Sequence, residues 1–267
     1  MEPLKRLYIF TGKGGVGKTT TALAFTKYLK SLDKKVQYNS FDQESNKDLS
    51  DVFGLSRLDL NLDESIEEYM GRVLNSKMIA SWIMKTPFFR SLFNMLPGLG
   101  HLILLGHVID RLESDPDLIV VLDSPSSGHA LTMLQATHNF KEIFGTGLLV
   151  KDIDRMHNFL LEKNNLKTNI LTLPSLMAVS EAIDLKESIE KLNYKEIDII
   201  LNNYLPENEC LVSNTEEIPE FLQKKIKLES EVYETQKEII TNKIPYLNSL
   251  SIIDTVDNLD EYIEGLR

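Results

Sequence analysis

The chain alternates between short, nearly continuous apolar runs and longer stretches of helical periodicity. Apolar runs occupy residues 7–10, 36–41, 118–122, 168–173, 197–201 and 250–253. Runs of this kind predict strands buried on both faces, as in a parallel sheet. Helical patterns fill about residues 19–31, 129–139, 153–163, 179–192 and 216–242. The alternation predicts an α/β fold: a doubly wound, mostly parallel sheet with helices on both faces. One interval breaks the rhythm. From Asp63 to Glu113 there is no strand-like run, only helical periodicity interrupted at Pro87 and Pro97. Met70, Met78, Trp82, Met84, Phe88, Phe89, Phe93, Met95 and Leu96 stand out there. The expectation is a single domain over residues 1–267, with a helical subdomain inserted at about 63–113. Residues 205–220 read as loop.

The first predicted strand runs into Gly12-Lys13-Gly14-Gly15-Val16-Gly17-Lys18-Thr19-Thr20. This satisfies G-x-x-x-x-G-K-[ST] between a strand and a helix, the pattern of the P-loop NTPases. Glycines let backbone N–H groups turn inward around phosphate oxygens, and the next helix points its positive end at the same anion. Residues Gly12 through Thr20 are therefore candidates for binding a nucleotide. Within them, Lys18 is expected to neutralise the β and γ phosphates and Thr19 to offer a hydroxyl to Mg²⁺. Two aspartates end predicted strands, where ligands sit in open α/β sheets. Asp123 follows five apolar residues and is placed to hold Mg²⁺, while Asp42 is placed to position an attacking water. Each has a plainer alternative, because aspartate readily caps helices. Lys13 is unusual, since a phosphate loop does not require a lysine directly after its first glycine.

Composition narrows the field. The chain has 267 residues, and 29 basic against 40 acidic side chains give a net charge of −11. That balance opposes non-specific binding to nucleic acid or to an anionic membrane. Cys210 is the single cysteine, so no intrachain disulfide or multi-cysteine metal site forms within one chain. The start of the chain lacks the pattern of a signal peptide, and no apolar run reaches the ~20 residues of a membrane span. A cytoplasmic location is expected.

The phosphate loop with its extra Lys13 resembles that of the deviant Walker A clade, which includes arsenite-pump ATPases, tail-anchored-protein targeting ATPases, ParA/MinD proteins and nitrogenase iron protein. Later segments choose within the clade. Leu96-Pro97-Gly98-Leu99 and Asp123-Ser124-Pro125-Ser126-Ser127-Gly128-His129 resemble the arsenite-pump/tail-anchor-targeting family. So do Leu173-Pro174, Ser180-Glu181-Ala182 and Leu201-Asn202-Asn203-Tyr204-Leu205-Pro206. The similarity runs through almost the whole chain in order.

The resemblance implies an ATP hydrolase using ATP and Mg²⁺, with Lys13, Lys18 and Asp42 catalytic and Thr19 and Asp123 on the metal. It further implies a homodimer, or a paralogous heterodimer, in which Lys13 crosses to the partner's phosphates. Gly128 and His129 would belong to a second switch, and Asn202 would contact adenine. The client would be a hydrophobic helix or a membrane-protein partner, for which the methionine and aromatic side chains of the helical region offer either a groove or ordinary core. Three features depart from the family. Residues 42–51 lack its Asp-Pro and carry extra residues, Pro125 stands one place early, and Cys210 alone supplies neither a zinc clasp nor a three-cysteine arsenite site. Two alternatives stay open: a nucleotide-dependent regulatory or positioning switch, and a subunit of an arsenite or anion pump. DNA binding is disfavoured by acidity, a membrane-binding terminal helix by the acidic segment 257–267, and cluster-based electron transfer by the lone cysteine.

Overall fold

The computed structural model describes residues 3–41, 47–60, 62–73, 76, 78, 86, 98–124, 126–144, 146–208, 211, 218–249 and 251–267. Its centre is a six-stranded sheet built from β1 (Leu7–Gly12), β2 (Val36–Asn39), β3 (Ile119–Asp123), β4 (Leu166–Thr172), β5 (Ile197–Tyr204) and β6 (Asn242–Pro245). The strand order is β2-β3-β1-β4-β5-β6, and every pairing is parallel. The helices are α1 (Lys18–Ser31), α2 (Lys47–Val52), α3 (Leu62–Val73), α4 (Leu99–Ser114), α5 (Ser127–Phe144) and α6 (Leu148–Leu161). They are followed by α7 (Leu176–Glu190), α8 (Glu220–Gln236), α9 (Ile252–Asn258) and α10 (Asp260–Ile263).

Both faces of the sheet are covered, which is why its strands read as unbroken apolar runs. On β1, Leu7 and Ile9 point to one face, joined by Leu102, Leu105 and Ile109 of α4, Leu134 of α5 and Ile153 of α6. Tyr8 and Phe10 point to the other, packing with Leu23 and Phe25 of α1 and with Val256 and Ile263 of the closing helices. Parallel pairing brings the carboxyl ends of all strands to one edge. Connections diverge at β1, which lies between β3 and β4, and in open α/β sheets the ligand crevice opens where the strand order reverses.

Several expected boundaries shift. Residues 251–253 of the run expected as a strand open a helix instead: Ser251 caps α9, its hydroxyl accepting from Asp254 N at 3.1 Å. The sixth strand lies earlier, at Asn242–Pro245, so the helix expected over 216–242 stops at Gln236. α5 is longer than its apolar periodicity suggested and begins at Ser127. Within the interval 63–113, α3 and α4 are described, and α4 contributes its apolar side to the same core as β1 and β3. Trp82, Met84, Phe88, Phe89, Phe93, Met95 and Leu96 lie outside the described residues. Among the described residues no helix is long and apolar enough to cross a membrane.

Candidate functional site

The loop between β1 and α1 is shaped by backbone that only glycine tolerates well. Gly12, Gly15 and Gly17 have φ of 140°, 80° and 93°, a region that costs other L-residues strain. At Gly12 an added Cβ would lie 2.2 Å from the Leu171 carbonyl oxygen, so the loop leaves β1 pressed against β4. At Gly14 and Gly15 an added Cβ meets nothing within 4 Å, and these two residues present their backbone to open space. α1 then begins at Lys18 with no acidic residue in its first turn and no side-chain cap. Its leading N–H groups and positive end are thus left for an anion.

The side chains agree with that reading. Lys18 is buried, and its Nζ donates to the Lys13 carbonyl at 2.9 Å, lying across the loop. Burial holds its ammonium below the ordinary lysine range, with the Asp123 carboxylate acting in the opposite direction. Val16 is buried, while Thr20 sits half-buried one residue beyond Thr19. Thr19 donates its hydroxyl to Asp123 Oδ2 at 2.7 Å, joining residues 104 positions apart. Asp123 ends β3, fully buried, and also accepts from the Tyr38 hydroxyl at 2.9 Å. The Oδ2 of Asp123 thus turns toward α1 and β2. Burial first, and then the Asp123 charge, push the Tyr38 phenol far above its ordinary range, which makes Tyr38 a fixed donor. An aspartate and a threonine hydroxyl in contact form an all-oxygen pair. That suits Mg²⁺, which takes one or two protein ligands beside phosphates and water.

Asn202 stands beside the loop on β5. Its amide donates to the Val16 carbonyl at 2.8 Å, and a Cβ at Gly17 would strike it at 2.3 Å. Its first role in this structure is to brace the phosphate loop, a contact that depends on β5 lying two strands from β1. Lys13 projects from the loop, more than half exposed, and pairs with Glu181 Oε1 of α7 at 2.8 Å. Gly128 and His129 open α5, with His129 Nδ1 2.6 Å from Ser126 Oγ. Asp42 and Pro125 lie outside the described residues. Sequence reasoning missed Tyr38 as the second partner of Asp123. A signal was present: a tyrosine in a buried strand needs a partner for its hydroxyl, and Tyr38 pairs in register with Val121, two residues before Asp123.

Residues 5–149, more than half of the chain, match the family model described as anion-transporting ATPase. The chain belongs to this family. Among relatives, an arsenical pump-driving ATPase 2 from Aquifex aeolicus is 30% identical over 211 residues, covering 70% of this chain and 63% of the relative. An ATPase get3 from Botryotinia fuckeliana is 27% identical over 249 residues, 87% of this chain and 66% of that protein. An ATPase ASNA1 homolog from Dictyostelium discoideum is 24% identical over 257 residues, 80% and 76% of the two chains. The chain therefore spans just under two thirds of the first of these relatives. For this member of the anion-transporting ATPase family, the matched segment contains the phosphate loop, Tyr38 and Asp123 together.

Proposed function

We propose that the chain is a Mg²⁺-dependent ATP hydrolase that closes as a dimer on its nucleotide and uses that closure to handle a hydrophobic or membrane-associated client. The observation that carries the reading is the convergence of Lys18, Thr19 and Asp123 at the strand edge below a loop from which Lys13 projects outward. The phosphate loop and α1 would bind the triphosphate, and Lys18 would face the β and γ phosphates. Thr19 and Asp123 would hold Mg²⁺, which when bound neutralises phosphate charge. Asp42 would orient water. Lys13 would cross to the phosphates of the partner subunit. Asn202, whose amide nitrogen braces Val16, would contact adenine. The resemblance to tail-anchor-targeting ATPases, and the relatives named ATPase get3 and ASNA1 homolog, support the client class. The arsenical pump-driving relative supports a second reading, a pump subunit. Against it, this chain has one cysteine and so lacks a three-cysteine metalloid site of its own.

In this proposal Glu181 competes with the partner's phosphates for Lys13. An exposed ion pair is worth only ~0.2–1 kcal/mol. Dimer closure breaks one such pair in each chain, so Glu181→Gln is expected to raise the dimer association constant in a non-hydrolysable Mg·ATP analogue by up to about thirtyfold. Sedimentation velocity reads this directly. A weaker dimer in the variant would mean that Glu181 belongs to the interface and does not restrain Lys13.

A further inference from the structure

Three aromatic rings meet where β2 and β3 leave the sheet, next to the phosphate site yet outside it. Phe41 lies two residues beyond β2 and is buried, with φ of 43°. A bulky L-residue holds that left-handed conformation only where its surroundings enforce it. Asn39 supplies one restraint: its Oδ1 accepts from Phe41 N at 3.0 Å while its Nδ2 donates to the Leu58 carbonyl at 2.6 Å. His101, in the first turn of α4, supplies the other. Its imidazole stacks on the Phe41 ring with centroids 5.5 Å apart and planes inclined by 26°. On its other side, His101 meets His129 edge to face at 5.1 Å and 77°. The run then ends in the close contact of His129 with Ser126.

The start of α4 is also locked against α5. Gly98 caps α4 with φ of 86°, and a Cβ there would lie 2.8 Å from Thr132 Cγ2. The two helices approach closely at the point where His101 reaches His129. We propose that His101 is a positioning residue: it clamps Phe41 and His129 so that the exits of β2 and β3 and the first turn of α4 move as one unit when nucleotide binds. The proposal rests on the hydrolase reading, because Phe41 immediately precedes Asp42 and His129 follows Asp123 by six residues. Apolar packing alone is non-directional. Ring stacking has a preferred geometry and passes orientation from one strand exit to the other. A displacement of about 1 Å at catalytic groups lowers rates by up to ~10²-fold, so a loosened clamp acts on turnover.

Steady-state kinetics on the full chain provides the test. His101→Ala is expected to lower kcat about tenfold while the Kd for a non-hydrolysable Mg·ATP analogue changes by less than about twofold. His101→Phe, which keeps a flat ring, is expected to recover kcat to within about threefold of wild type. Wild-type turnover in His101→Ala overturns the proposal, and so does a folded His101→Phe that fails to recover. A second readout needs no turnover. The chain has five histidines, and in imidazole NMR spectra the analogue is expected to shift the His101 and His129 signals together. In Phe41→Leu the His129 response is expected to fall by about half or more, and an undiminished response overturns the clamp. If the wild-type chain releases no phosphate, the hydrolase reading falls and the imidazole response alone decides the coupling.

Discussion

Lys18→Ala is expected to lower phosphate release from Mg·ATP by about 10³-fold, the upper range for deleting one preorganised group that stabilises transition-state charge. The effect is large because of where the lysine sits. Lys18 is 7% exposed, its ammonium is fixed across the phosphate loop by the Lys13 carbonyl, and burial makes its charge costly unless an anion faces it. Phosphoryl transfer leaves little covalent chemistry to the protein, so positioning and charge account for most of the acceleration. A coupled phosphate-release assay measures the loss, and thermal unfolding confirms that the variant is folded. A residual rate above about a tenth of wild type would place the charge stabilisation elsewhere.

Lys13→Ala is expected to lower kcat by about 10²-fold, somewhat less than the 10³–10⁵ seen for an arginine supplied in trans, because lysine acts as a point charge without a bidentate fork. Stability is expected to change little. Lys13 is more than half exposed, and its pairing with Glu181 is a surface ion pair, worth at most ~1 kcal/mol. The combination distinguishes the two lysines. In the proposed dimer Lys18 would act on the nucleotide bound by its own chain, whereas Lys13 would act only when a second chain is present. A Lys13→Ala protein that turns over at the wild-type rate would sink the crossing lysine.

The sheet was legible because parallel strands buried on both faces leave long apolar runs, and β1, β3 and β5 lie close to where those runs predicted. β6 was not legible. Asn-Lys-Ile-Pro buries only its last two residues fully and sits at the sheet edge, so the more apolar run at 250–253 took its place in the reading. The correct clue was there: a serine with an acidic residue three positions later signals a helix start, and Ser251 with Asp254 forms one.

At the site, the phosphate loop is a local motif and could be read directly, as could Asp123, a charge at the end of an apolar run. The partners of these residues are set by topology. Tyr38 reaches Asp123 because β2 pairs with β3, Asn202 braces Val16 because β5 lies near β1, and Glu181 meets Lys13 across 168 residues. No spacing rule anticipates such contacts; they follow once the strand order is known. The Phe41–His101–His129 run belongs to the same class. Its rings come from α4, from α5 and from the residue two places beyond β2, and the packing of α4 against α5 brings the two imidazoles together.

The most direct test of a two-chain hydrolase is phosphate release from an equimolar mixture of the Lys13→Ala and Lys18→Ala proteins. Each alone is expected to be nearly inactive. In a mixed dimer, the Lys13→Ala chain keeps its own Lys18 and receives Lys13 from its partner, which rebuilds one complete site. Random pairing makes half the dimers mixed, so the mixture is expected to recover about a quarter of the wild-type rate. A mixture no more active than its components, with dimers shown to form and exchange, would contradict the account.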